Sequence, residues 1–124
     1  MRTRFAFVLL VVIVVASALV RAADVSGKWA ATFDTQVGQQ VYTYEFVVKG
    51  TSLTGTIKGN LLGESKVEDG KVDGQKITFV ENGKFMDMPI RIEYSGEMTS
   101  ADEIKFTRTV VGFGNEALVA KRVK

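Results

Sequence analysis

From Trp29 to the end of the chain, apolar residues recur at every second position, and glycine-rich breaks interrupt them every eight to twelve residues or so. A period of two places successive side chains on opposite faces of a strand, so such a segment has one dry face and one wet one. Trp29, Ala31 and Phe33 share a face in "KWAATFD". Tyr42, Tyr44, Phe46 and Val48 share one in "QQVYTYEFVVKG", opposite Thr43, Glu45 and Lys49. Leu53, Gly55 and Ile57 continue the pattern, followed by a weaker strand near Lys66 to Glu68, then Ile77 with Phe79. A sixth strand is predicted through Met86, Met88, Ile90, Ile92 and Tyr94, a seventh from Ile104 and Phe106, and a last one through Leu118 and Ala120 to Arg122.

Turn chemistry supplies the connections. Asp69-Gly70, Asp73-Gly74 and Asn82-Gly83 are dipeptides that favour tight hairpins, Asn82-Gly83 most strongly. "GFGN", Gly112 to Asn115, places Phe113 at a turn tip. Pro89 has no N–H to donate and suits an edge, a bulge or a strand start. No segment of helical period is long enough to set against these strands. The fold class expected is all-β, an up-and-down antiparallel β-barrel of about eight strands, because closing a meander removes its exposed edges.

The first 22 residues follow another logic. Arg2 and Arg4, the apolar run Phe5 to Val20 and the small residues after it make a secretory signal, with cleavage after Ala18 or Ala22 satisfying the small-residue rule. The alternative is a retained anchor, but the apolar run ends at Arg21 and is shorter than the roughly 20 residues a spanning helix needs. The division expected is a signal peptide over 1–22 and one barrel domain over 23–124, exported to the periplasm or the exterior. Three of the 16 basic residues, Arg2, Arg4 and Arg21, leave with the signal while all 14 acidic ones stay, so the net charge falls from +2 to −1. No basic excess then argues for nucleic acid, and a membrane enters only if the signal segment is retained.

The chain has no histidine and no cysteine. The commonest general base, the commonest metal ligand, the thiol nucleophile and any disulfide are therefore missing together. No Ser-x-x-Lys or Gly-x-Ser-x-Gly motif follows the signal, and "VEDGKVDG" lacks the alternating oxygen ligands and closing glutamate of a calcium loop. A non-enzymatic protein without metal or cofactor is expected.

Two readings of the inward aromatic row remain open. In one, Phe33, Tyr42, Tyr44, Phe46, Met88, Tyr94 and Phe106 line a cavity for a small apolar or aromatic molecule, with tyrosine hydroxyls as orienting groups. In the other, the same side chains fill the barrel. Plain filling leaves the inward tyrosines in need of partners that a dry core does not readily supply. Met86 and Met88 either fill gaps at one end of the core or, with Phe113 at its turn tip, form a soft apolar set through which a filled barrel serves as an interaction module, an accessory subunit bound to a protein partner or a membrane complex.

Gly27-Lys28-Trp29 at the first strand and Arg122 at the last resemble the Gly-x-Trp and terminal Arg of the calycin superfamily, which includes the lipocalins, fatty-acid-binding proteins and avidins. The resemblance implies that Trp29 seals one end of the barrel with Arg122 packed across it, a structural closure. "LTGTI", Leu53 to Ile57, is similar to an avidin turn and strand. Gly-x-Trp with "DGKVDG" and a terminal "AKRV" also resembles a group of small exported bacterial proteins. Avidin-type biotin sites draw on several tryptophans, whereas here Ala30 and Ala31 follow the lone Trp29, so biotin is not expected.

Overall fold

Alternation becomes strand along almost the whole of residues 24–124, the part of the chain that the structure, a computed structural model, describes. The signal segment expected over 1–22 lies outside the described residues. The strands are β1 (Gly27–Thr35), β2 (Gly38–Lys49), β3 (Ser52–Gly59), β4 (Gly63–Lys66), β5 (Glu68–Asp73), β6 (Lys76–Phe85), β7 (Met88–Ser100), β8 (Glu103–Val110) and β9 (Gly114–Arg122).

Each strand pairs antiparallel with its neighbours in the order β2-β1-β9-β8-β7-β6-β5-β3-β4, and β2 also pairs with β3. The sheet is therefore closed. β4 pairs with the end of β3 (Thr56 with Lys66, Gly59 with Gly63) and β5 with its start (Leu53 with Gly70), so they are two halves of one bent stave. This is an eight-stranded antiparallel up-and-down barrel, as the period and the turn spacing predict, and at this size the interior is just wide enough for side chains to fill.

Two turns differ from expectation. Asp69-Gly70 makes no hairpin: it lies inside β5, where the register with β6 shifts between Glu68 and Lys71 and Asp69 has a φ of 50°. A bulge of this kind bends the strand, here between its pairings with β3 and β6. Asn82-Gly83 does not turn either. It continues β6, opposite Arg91 and Ile90, and the chain reverses four residues later at Met86-Asp87, with φ of 52° and 64°. Both registers preserve the inward parity. Interior packing selects the longer one, because it sets Phe79 opposite Tyr94, whose rings stack with centroids 4.2 Å apart and planes 12° from parallel. Met88 consequently starts β7 at the rim and is exposed, not inside the barrel as its parity suggests. Pro89 is the second residue of β7, close to the turn.

The two ends of the barrel differ. At one, fully buried Trp29 faces Arg122 across β1 and β9. The guanidinium lies 4.4 Å from the ring centroid and donates to the carbonyls of Ser26, Asp24 and Ala101, while the indole N–H donates to Val25 O at 2.9 Å. These bonds tie the start of the domain, its last strand and the β7–β8 turn together. The other end carries the turns β1–β2, β3–β4, β6–β7 and β8–β9, and it is open.

Candidate binding site at the open end

Above the Trp29 plug the barrel is filled with rings. Tyr42, Tyr44 and Phe46 stack along β2 at 5.6 Å spacings, and Phe79, Tyr94 and Phe106 meet them from the opposite wall. Bulk on one strand meets emptiness on the next. Tyr42 lies opposite Gly59, where an added Cβ would come within 2.6 Å of the tyrosine ring, and Phe106 lies opposite Gly96, where it would come within 2.3 Å. Phe33, Tyr42, Tyr44, Phe46, Tyr94 and Phe106, expected to line a cavity, are buried in this packing.

The tyrosine hydroxyls find charged partners that no motif announced. Ile77, Phe79 and Glu81 share an inward parity, as do Ile104, Phe106 and Arg108, so β6 and β8 each point a charge into the barrel. Glu81 is fully buried and Arg108 is 1% exposed. Tyr42 and Tyr94 each donate to a different Glu81 oxygen at 2.9 Å, and Tyr44 donates to the Tyr94 hydroxyl at 3.0 Å. Arg108 completes the circuit, Nε to Tyr94 at 3.1 Å, Nη2 to Tyr42 at 2.9 Å and Nη1 to Glu116 Oε1 at 2.5 Å. The Arg108 guanidinium also lies within 6 Å of the Phe33, Tyr42 and Tyr94 rings.

Donor and acceptor order is consistent only one way round. Arginine has no acceptor, so both tyrosine oxygens accept from it and donate their own O–H groups to Glu81, which accepts both as a carboxylate. Burial pushes the Glu81 carboxyl above its ordinary range, and the bonds from Tyr94 and Tyr42 and the charge on Arg108 pull it back. Burial holds the three tyrosines well above the ordinary phenol value, with the Glu81 charge adding to the effect, so they stay protonated donors.

Through Arg108 and Glu116 this network reaches a cleft of about 410 Å³ that opens between the four turns. Leu62, Phe85, Ile90, Ile92, Val110 and Phe113 supply apolar wall, while Arg108, Glu116, Gln40 and Asp34 supply polar groups. Of the residues expected to bind a ligand or partner, Phe113 alone lines it; Met86 and Met88 lie outside on the rim. A broader depression at the closed end, near Gln75, Met98 and Arg122, has no comparable set of buried polar groups. Among the described residues no group of three or more acidic side chains is placed to hold a metal ion.

Glu81, Arg108, Glu116 and Gln40 are the site residues that sequence reasoning missed. Parity was the available signal, since Gln40 precedes Tyr42 and Glu116 precedes Leu118 on the same faces. Reading Asn82-Gly83 as the turn cut β6 short just past Glu81 and concealed its place in the strand. Compared with known family models, curated proteins and solved structures, the chain shows no significant match to any of them.

Proposed function

We propose that this protein is an exported, non-enzymatic barrel of calycin type that binds a small molecule with an apolar body, not in the ring-filled interior but in the cleft above it. The observation that carries this reading is the cleft itself. Its volume falls within the ~300–1,000 Å³ usual for small-molecule sites, and apolar walls over a few converging polar groups are the usual composition of one. The Arg108–Tyr–Glu81 network fits this role as a rigid support, because its side chains are immobilised by mutual hydrogen bonds before any ligand arrives.

The probe for this reading is N-phenyl-1-naphthylamine, a neutral dye that brightens in apolar surroundings. Saturable brightening is expected, weakened by Leu62→Asp in the wall and by Phe113→Asp at the exposed mouth. No saturable signal, or one indifferent to both substitutions, overturns the reading. Trp29 is unsuited as the reporter, since it sits at the opposite end.

A second reading rests on a separate observation. Exposed large apolar residues gather on the open-end turns, with Val37, Leu61, Met86, Val111 and Phe113 each at a tip and Met88 beside one, whereas the closed-end turns Gly50-Thr51, Gly74-Gln75 and Ala101-Asp102 carry none. Met86 is 86% exposed and holds a left-handed conformation that asparagine or glycine adopts at lower cost. A rim of this kind suits a protein partner docked over the mouth. A photo-crosslinker at position 86, used in the source organism, is expected to yield one discrete protein adduct on this reading; the absence of any adduct argues against it.

A further inference from the structure

Resting on the reading of the cleft as a small-molecule site, we infer that its ligand carries a protonated amine on an apolar body, and that the buried arginine in the floor does not serve as a carboxylate receptor. An arginine with two tyrosines under an apolar cleft invites the opposite assignment, an anionic head on the guanidinium. Here three of the five N–H groups of the guanidinium, one on each nitrogen, are already engaged. Its Nε, Nη2 and Nη1 point at Tyr94, Tyr42 and Glu116, and the Arg108–Glu116 pair at 2.5 Å would have to open before a carboxylate could take the carboxylate's place. The remaining charges repel an anion too. Glu116 and Asp34 line the cleft against the single cation Arg108, an excess of one negative charge, and Glu81 lies directly beneath, bonded to both tyrosines that contact Arg108.

A second observation points the same way and does not depend on charge. Gln40 lines the cleft and is 4% exposed, and its Oε1 is buried without a hydrogen-bond partner. The orientation of this amide follows from its neighbour. Thr35 Oγ1 donates its proton to Gly38 O at 2.7 Å and can therefore only accept from Gln40, which places Nε2 against Thr35 at 3.1 Å and leaves Oε1 facing away from it. A buried acceptor without a donor is costly and uncommon. The buried atom left without a partner in the cleft lining is thus an acceptor, Gln40 Oε1, and the lining adds the Glu116 and Asp34 carboxylates. A primary or secondary ammonium brings two or three N–H donors and a positive charge to match them, and an alkyl or aryl body would lie along Leu62, Phe85 and Ile90.

The test holds the body constant and changes the head. Decylammonium, decanol and decanoate, each below its micelle concentration, compete with N-phenyl-1-naphthylamine at neutral pH. Decylammonium is expected to displace the dye at a concentration lower than decanoate by about tenfold or more, ~1.4 kcal/mol, with decanol between them. In Asp34→Asn the preference is expected to shrink, and in Glu116→Gln, where Arg108 loses its carboxylate, to shift towards decanoate. The Trp29 emission and melting temperature of each variant report whether it is folded, and the exposed Asp34 provides the variant least able to disturb the fold. Decanoate displacing as well as decylammonium, or an ammonium preference unchanged in both variants, overturns the inference while leaving the cleft as a binding site. Dye that binds but yields to none of the three compounds does the same. Failure of the dye itself to bind removes the underlying reading and this inference with it.

Discussion

Replacing Arg108 with methionine removes the one cation from the buried network and leaves the side-chain volume broadly similar, so it asks how the barrel tolerates Glu81. Three hydrogen bonds disappear, those to Tyr94, Tyr42 and Glu116. Glu81, fully buried, then has no compensating charge. Removing one partner of a buried ionic set typically costs about 3–5 kcal/mol, a large part of the ~5–15 kcal/mol that stabilises a domain. The loss should depend on pH, and the sign follows from the direction of the Glu81 shift. Its folded-state pKa lies above the ordinary 4.5, so the folded protein binds this proton more tightly than the unfolded chain. The associated stability is fully present below that ordinary value and is lost as pH rises through the folded-state value. Arg108 is one of the influences that lower the Glu81 pKa. Without it the pKa climbs further, and each added unit costs about 1.4 kcal/mol at pH values above it. Urea unfolding followed by Trp29 emission should therefore show Arg108→Met losing more stability relative to the parent at pH 8 than at pH 5. Exchanging Glu81 for leucine as well should recover most of the loss, since removing both partners of a buried set is far cheaper than removing one. A loss below about 1 kcal/mol, or one equal at both pH values, would refute the account of the network as an ionised carboxylate held by a buried arginine.

Other perturbations probe the rest of the barrel. Trp29→Ala should cost about 3–5 kcal/mol, measured by denaturant unfolding with far-UV circular dichroism, because it unplugs the closed end and leaves Arg122 over a void; an unchanged melting temperature would refute the closure role. Gly59→Ala sets a Cβ 2.6 Å from the Tyr42 ring, and such overpacking should cost about 1–3 kcal/mol and move the Tyr42 hydroxyl off Glu81, visible as a shift of its phenol resonance. Met86→Asn with Asp87→Gly puts residues that favour positive φ at both turn positions, and should raise stability by up to about 1 kcal/mol in the same unfolding assay. Glu81→Gln should remove the part of the stability–pH profile that lies between 4.5 and the raised Glu81 value, measured by unfolding at a series of pH values.

How much of this was legible beforehand varies by layer. The strands and closure were, because period-two alternation acts locally and a meander without edges has few alternatives. The Trp29–Arg122 contact was legible only through resemblance, since it joins β1 to β9 across 93 positions of sequence. The aromatic row along β2 was legible as a row, and so was the demand of its tyrosines for partners. Of the two residues that meet that demand, Arg108 follows from extending the inward parity of Ile104 and Phe106, whereas Glu81 was hidden by a local rule: Asn82-Gly83 is a strong turn signal, yet turning there forfeits the Phe79–Tyr94 stack. Met88 was misplaced inside the barrel by the same rule, because parity says which face a residue takes and nothing about whether the core reaches that far along the strand.

The amino-acid sequence by itself determined the all-β class, the inward faces and the lack of histidine and cysteine chemistry, all of which follow from side-chain type and spacing along the chain. Tertiary structure decided where β6 turns, that the interior is filled with rings rather than left as a cavity, and that Glu81, Arg108 and Glu116 converge beneath an open cleft. Those outcomes depend on register between strands, which ring packing settles once the barrel has closed: moving the β6–β7 turn by four residues leaves every inward face unchanged, yet it changes which side chain each residue meets.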